Sequence, residues 1–188
     1  MTTETKPSTT RFNLPARLLH WSMAVMVIAQ FFIGVTMIAA LSYYPLLLAI
    51  HRPLGIAILV FALVRLVNRL THRLPPFLAT MGPVERRVAS YSEYLLYALL
   101  LVQPLIGWAM LSAAQSPVVM VGAVDLPAIA PHNITLYATL RTAHTVAAYL
   151  LFATFTAHIC AVLFHTVGLR GGILHRMSLW PSRNHPDQ

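Results

Sequence analysis

The chain has 188 residues, of which 57% are hydrophobic and only 10% are charged, and its mean hydropathy is +0.68. Soluble domains carry about 25% charged residues, so this composition excludes an ordinary soluble protein and indicates a membrane protein with a few spans. The formal net charge of +8 could suggest a nucleic-acid partner, but the basic residues flank apolar segments and form no stripe. We therefore expect membrane lipid, and no nucleic acid, around this chain.

Four long apolar segments are predicted to cross the membrane as helices. They cover residues 18–41, 45–70, 88–112 and 142–169. Each is long enough for the hydrocarbon core, which requires roughly 20 residues. The second segment contains Pro53, which either kinks the helix or starts its regular part. The pattern predicts an all-α, integral membrane four-helix bundle.

The rest of the chain is predicted as tails and loops. Residues 1–14 and 171–188 form two tails around a transmembrane domain of residues 15–170. The proline-containing segment 74–83 joins spans two and three, and segment 115–140 joins spans three and four.

Basic residues lie mostly on one side of this predicted bundle. Eleven of the 13 Lys and Arg residues fall on the side of the two tails, namely Lys6, Arg11, Arg17, Arg65, Arg69, Arg73, Arg86, Arg87, Arg170, Arg176 and Arg183. Arg52 and Arg141 fall on the other side. The positive-inside rule therefore places both termini in the cytoplasm.

Four histidines fall at two matched depths in the predicted spans. His144 and His158 are 14 residues apart with no charged residue between them, which places both on one helix face and about 21 Å apart along its axis. His20 lies near the cytoplasmic start of the first span, and His51 near the external start of the second. Depth therefore pairs His51 with His144 and His20 with His158. Ionisable residues inside a membrane are functional candidates by default.

Two stacked bis-histidine sites fit haem better than zinc. Zinc prefers four protein ligands in a tetrahedron, whereas each site offers two. Two axial imidazoles are what a six-coordinate b-type haem requires between helices. The single cysteine, Cys160, excludes a cysteine-held iron–sulfur cluster and covalent attachment through C-x-x-C-H. We predict two b-type haems with His20, His51, His144 and His158 as the iron ligands.

A glycine lies at the predicted level of the outer site. Gly34 follows His20 by 14 residues on the same helix face, where a missing side chain would leave room for a macrocycle. The alternative for Gly34, and for Gly107 in the third span, is close packing between helices.

Two further polar residues lie near the predicted inner site. Arg65 follows His51 by 14 residues and could meet a haem propionate, although snorkelling to the lipid headgroups is the alternative. His165 follows His158 by seven residues and is either a rival inner ligand or a proton donor near the membrane edge.

These residues resemble the bacterial cytochrome b561 family, and within it the superoxide oxidases, which are small four-helix dihaem proteins of the bacterial inner membrane. The resemblance covers about residues 11–180. It is carried by R-L-L-H-W at 17–21, A-I-H-R-P-L-G-I at 49–56, L-V-R-L-V-N-R-L at 63–70, P-L-I-G at 104–107 and H-x13-H at 144–158. The resemblance places the family's haem ligands on the same four histidines. His165 matches a further histidine that is not a ligand there, and Arg141 matches a basic residue three positions before the third ligand.

The resemblance also implies an activity. Iron with two axial histidines has no open position, so the sites should pass electrons. The implied enzyme is a superoxide:ubiquinone oxidoreductase that oxidises superoxide outside and reduces ubiquinone, with no protein partner required. Arg52 and Arg141, with His132 as a further candidate, would attract the anion. Trp21 and His165 are candidates for contact with the quinone.

Two alternatives come from other functional classes. One is a non-catalytic haem b subunit that anchors a dehydrogenase or hydrogenase, although the short extramembrane segments offer little docking surface. The other is a haem-free transporter of protons or metal ions.

Overall fold

Four long helices form most of the computed structural model, which describes residues 11–78, 80–116, 118–120, 124–169 and 172–180. The helices are α1 (Leu14–Ala39), α2 (Tyr44–Thr71), α3 (Pro83–Ala113) and α4 (Ile134–Leu163). A 3₁₀ turn at Leu41–Tyr43 joins α1 to α2, a π-helical turn at Phe164–Gly168 continues α4, and a short helix, α5 (Ile173–Met177), follows. All four long helices are long and apolar enough to cross a membrane, which confirms the predicted four-helix membrane bundle.

Polar caps set the starts of three helices. The Asn13 side chain accepts a hydrogen bond from the Ala16 amide at 2.8 Å, and the Asn133 side chain accepts one from the Leu136 amide at 2.9 Å. At the start of α3, the Glu85 carboxylate accepts a bond from the Gly82 amide at 2.8 Å. These caps satisfy backbone N–H groups that have no partner within the helix.

Three helices begin several residues earlier than the apolar pattern predicts, and the first of them, α1, begins at Leu14 instead of residue 18. α4 begins at Ile134 instead of residue 142, so Arg141 lies inside the helix and the preceding loop is shorter than predicted. α3 begins at Pro83 instead of residue 88. The apolar pattern marks the part that can cross a membrane, whereas a helix extends through its polar flank to its cap. Pro53 lies inside α2 and does not mark its start.

The bundle closes because each helix packs against its neighbour in the chain and α4 returns to α1. The Phe31 ring of α1 packs edge-on against the rings of Phe152 and Phe155 of α4, with centroid distances of 5.4 and 5.6 Å. The buried apolar residues of the long helices are Met23, Val27, Ile58, Leu59, Ala62, Tyr97, Leu99, Ala113, Ala147 and Leu151. Large apolar side chains such as Phe32, which is 71% exposed, also cover the outside. Helices that are apolar on all faces suit a lipid environment.

The end of the bundle where α1 begins and α4 ends, here called the terminal end, is crossed by the segment around α5. The Phe12 amide donates to the Arg176 carbonyl at 3.2 Å, and the Arg17 guanidinium donates to the Ser178 carbonyl at 2.9 Å. Arg176 also donates to the carbonyl of Pro76 in the α2–α3 connection. Eight of the eleven basic residues predicted for the cytoplasmic side lie at this end, while Lys6, Arg170 and Arg183 lie outside the described residues.

The opposite end, here called the loop end, carries a small hairpin. Its strands β1 (Val119–Met120) and β2 (Val124–Asp125) are antiparallel, with Val119 opposite Asp125, and β1 packs against α2. The Trp108 indole donates to the Pro127 carbonyl at 3.0 Å and so attaches the following segment to α3. The hairpin and this segment therefore cover the loop end of α2 and α3.

Candidate functional site

The four histidines form two facing pairs inside the bundle. His20 of α1 faces His158 of α4, with ring centroids 6.5 Å apart and planes at 67°. His51 of α2 faces His144 of α4, with centroids 6.4 Å apart and planes at 72°. All four side chains are half-buried. The structure therefore brings together the two pairs that depth predicts, one towards each end of the bundle, and their role as ligands stays a prediction.

The spacing of both pairs fits two imidazoles on opposite sides of one metal ion. An imidazole–metal bond is about 2.0 Å long and a ring nitrogen lies about 1.2 Å from the ring centroid, so trans ligands have centroids about 6.4 Å apart. Among the described residues, no group of three or more His, Cys, Asp or Glu side chains could hold a metal ion. A pair of imidazoles suits a haem, because the macrocycle supplies the other four ligands.

Two glycines lie against the rings of the His51/His144 pair. A Cβ atom placed on Gly107 of α3 would stand 3.1 Å from Cε1 of His144, which is closer than ordinary van der Waals contact. A Cβ atom on Gly34 of α1 would stand 4.0 Å from Cε1 of His51. Close packing between helices, the alternative given for Gly107 from the sequence, therefore takes a specific form here, because the His144 ring leaves no room for a side chain at position 107. The room for a macrocycle beside Gly34 stays a prediction.

Two glutamines that sequence reasoning missed contact the same pair. Gln30 Nε2 donates to the backbone carbonyl of His51 at 3.0 Å, and Gln103 Nε2 donates to that of His144 at 3.0 Å. The available signal was a repeated spacing, Q-F-F-I-G at 30–34 and Q-P-L-I-G at 103–107, in which each glutamine precedes a glycine by one helical turn.

Arg65 lies at the level of His20, as its spacing predicts, and contacts that histidine directly. Its Nη1 is 2.8 Å from His20 Nδ1, and its Nε donates to the Tyr97 hydroxyl at 3.0 Å. One turn later in α2, Arg69 forms a salt bridge with Glu93 and lies over the Tyr97 ring at 5.8 Å. Arg65 and Arg69 therefore belong to a polar network that joins α2 to α3 near the terminal end. In this structure Arg65 points into that network and does not snorkel to the lipid headgroups.

The candidates for quinone contact lie near the same pair. The Trp21 ring is 5.5 Å from the His20 ring, and its indole donates to the Met177 carbonyl at 2.8 Å. His165 lies in the π-helical turn with its ring 5.7 Å from that of Phe164. Within the described part of the chain, the histidine ring in contact with His20 is that of His158.

The loop-end residues that are predicted to attract an anion differ in their surroundings. Arg52, which follows His51, is half-buried and donates to the Ser116 hydroxyl at 3.1 Å. Arg141 is exposed on α4, three residues before His144. The His132 side chain contacts the end of α3, where its Nδ1 lies 3.0 Å from the Ala113 carbonyl oxygen. The acidic residue described at this end, Asp125, is exposed on β2.

Comparison with known proteins shows which family the chain resembles. The family model described as prokaryotic cytochrome b561 matches residues 11–179. The chain is 30% identical over 160 residues to "Probable superoxide oxidase CybB" of Yersinia pestis, covering 85% of this chain and 90% of that protein. It is 27% identical over 125 residues to "Cytochrome b561 homolog 2" of Escherichia coli (strain K12), covering 63% and 64% of the two chains. The resemblance noted in the sequence is confirmed, and the chain belongs to the prokaryotic cytochrome b561 family of membrane electron-transfer proteins, which bind b-type haem.

Proposed function

We propose that this protein is a dihaem cytochrome that oxidises superoxide at the loop end and reduces ubiquinone, with the terminal end in the cytoplasm of a bacterium. The main support is that two imidazole rings face each other at each of two depths. Their centroids are 6.5 Å apart in the His20/His158 pair and 6.4 Å apart in the His51/His144 pair. Two superoxide ions would each give up one electron and leave as oxygen. One ubiquinone would take both electrons and two protons and leave as ubiquinol.

The four histidines would hold the two haems, His20 with His158 and His51 with His144. Each bound haem would supply a carrier of one electron, with both histidines of its pair engaged as ligands. Oxygen species would therefore exchange electrons without binding to iron, which suits a one-electron donor such as superoxide.

Arg65 would exchange its contact with His20 for a contact with a haem propionate when the terminal-end pair binds haem. A guanidinium only donates, so His20 Nδ1 must accept in the 2.8 Å contact with Arg65. An imidazole bound to iron through Nε2 carries its proton on Nδ1, and that proton cannot face a donor. The contact would therefore open when haem binds, which frees the guanidinium for a propionate.

Arg52 and Arg141 would draw superoxide towards the loop end. Arg52 is adjacent in sequence to His51 and is fixed by Ser116, while Arg141 is exposed one turn before His144. A positive patch raises the local concentration of a small anion and its rate of encounter. The exposed Asp125 opposes this effect only in part, because two cations face one carboxylate.

The terminal end would face the cytoplasm and the quinone pool. Eight basic residues described there satisfy the positive-inside rule and suit contact with anionic lipid, namely Arg11, Arg17, Arg65, Arg69, Arg73, Arg86, Arg87 and Arg176. Trp21 and His165 would contact the quinone ring and supply a proton. The described segments outside the helices are small, which supports a protein that works without a partner subunit.

Anaerobic stopped-flow mixing of the oxidised, purified protein with superoxide tests this proposal. We expect rapid reduction of the haem spectrum that superoxide dismutase abolishes, followed by reoxidation when a ubiquinone analogue is added. Reduction by a quinol but not by superoxide would overturn the proposal and favour the electron-transfer subunit. A folded protein that lacks a haem spectrum after reduction with dithionite would favour the haem-free transporter.

A further inference from the structure

The His51/His144 pair is held by the same arrangement on both sides. On one side, α1 presents Gln30 to the backbone carbonyl of His51 and, one turn later, Gly34 to its ring. The histidine is on α2, and the two contacts lie on one face of α1 because residues four apart are neighbours on a helix.

The second side repeats this arrangement with different helices. α3 presents Gln103 to the backbone carbonyl of His144 on α4 and, one turn later, Gly107 to its ring. A Cβ on Gly107 would be 3.4 Å from His144 Nδ1 and 4.0 Å from Nε2, so the Nδ1 edge of the ring faces α3. The glutamine and the Nδ1 edge therefore lie at the same interface.

The hydrogen bond to a histidine carbonyl fixes the orientation of each glutamine side-chain amide. A backbone carbonyl can only accept, so the nitrogen of Gln30 or Gln103 must face it and the oxygen must point elsewhere. Both amide oxygens are buried and lack a hydrogen-bond partner among the described residues. Buried acceptors without a donor are costly, so each requires an explanation.

Each histidine of this pair also has a ring nitrogen without a hydrogen-bond partner in the described part of the chain. Nδ1 of His51 and Nδ1 of His144 are also buried without a partner in the described structure. A metal-bound histidine almost always donates its second ring N–H to an oxygen acceptor, which fixes the ring and raises its basicity. Each side of the pair thus holds one ring nitrogen and one amide oxygen that lack partners among the described residues.

We propose that Gln30 and Gln103 are positioning residues whose amide oxygens accept the Nδ1–H of His51 and His144 when these bind haem iron through Nε2. This inference rests on the ligand pair assigned in the proposed function, and it does not depend on superoxide or quinone. The terminal-end pair differs, because His20 Nδ1 faces a guanidinium that can only donate. The glutamines therefore tune one haem and leave the other unchanged.

Equilibrium redox titration of Gln103→Leu and Gln103→Glu tests the role of the amide oxygen. Loss of the acceptor makes His144 less basic and favours reduced iron, so Gln103→Leu should raise the midpoint potential of the loop-end haem. A carboxylate is a stronger acceptor, so Gln103→Glu should lower that potential. We expect shifts on the order of tenfold in the ratio of oxidised to reduced forms, which is 59 mV for one electron.

The opposite signs separate this proposal from a purely structural role. If only the bond from Nε2 to the His144 carbonyl mattered, both variants would lose that donor and shift the potential in the same direction, which would overturn the proposal. Thr145→Val is the matched control, because this hydroxyl donates to the Arg141 carbonyl of its own helix at 3.0 Å, and it should leave both potentials unchanged.

The Gln30 variants repeat the test through His51 if a Gln103 variant fails to fold. Gln30→Leu and Gln30→Glu should shift the same potential in the same two directions. A loop-end haem that is unaffected by all four glutamine variants would also overturn the proposal. These titrations use the dihaem protein without superoxide or quinone, so failure of the superoxide reaction would leave their outcome interpretable.

Discussion

Replacing Gly107 with alanine should weaken haem binding at the loop-end pair. The added Cβ at position 107 would lie 3.1 Å from Cε1 and 3.4 Å from Nδ1 of His144, so the ring must move by a few tenths of an ångström. It has little freedom to do so, because Gln103 holds the His144 carbonyl and the ring must stay opposite His51.

The size of this effect follows from the cost of overpacking. An extra methyl group in a filled site costs about 1–3 kcal/mol, and every 1.4 kcal/mol is tenfold in affinity, so haem should bind roughly 5- to 150-fold more weakly. Thr145→Val is the matched control, since it changes the residue next to His144 but its hydroxyl bonds within its own helix, to the Arg141 carbonyl at 3.0 Å, so haem affinity should be unchanged.

Haem titration into protein prepared without haem measures both variants. His51→Ala provides the reference spectrum for a protein that lacks the loop-end haem. Wild-type affinity in Gly107→Ala, or an equal loss in Thr145→Val, would show that the contact between position 107 and the His144 ring does not limit haem binding.

Three further outcomes test the ligand assignment and the role of charge. His51→Ala should remove mainly the loop-end haem and His20→Ala mainly the terminal-end haem, as resolved by redox titration. His165→Ala should retain both haems, and loss of the terminal-end haem in that variant would show that the ligand assignment is wrong. Arg141→Glu should slow reduction by superoxide severalfold and weaken its dependence on salt, because screening limits the field of an exposed charge to about 8 Å at physiological ionic strength. Reduction of the same variant by a neutral quinol should be unchanged, and equal slowing of both reactions would indicate a general defect.

The pairing of the histidines could be predicted from the sequence because a membrane fixes depth. Long apolar segments must cross as helices, and helical rise then converts the position of His144 or His158 in a segment into a level in the bilayer. The same reasoning placed Arg65 at the level of His20. It could not predict their direct contact, since that depends on how α1 and α2 are rotated against each other.

Contacts between helices were the part that the sequence did not reveal. The bonds from Gln30 and Gln103 to histidine carbonyls depend on which faces meet, and an apolar segment with no amphipathic pattern does not indicate its inward face. The start of α4 was also misplaced, because its cap at Asn133 lies outside the apolar segment. Hydropathy identifies the segments that lie in lipid. It does not identify helix caps or hydrogen bonds between helices, because these depend on individual polar residues.

The haem content of the purified protein decides whether both histidine pairs bind haem. Pyridine haemochrome analysis, combined with an independent measure of polypeptide, should give two b-type haems per chain, since the two histidine pairs have nearly the same spacing. A value near one in well-folded protein would contradict the account, because it would mean that one of the two pairs does not bind iron.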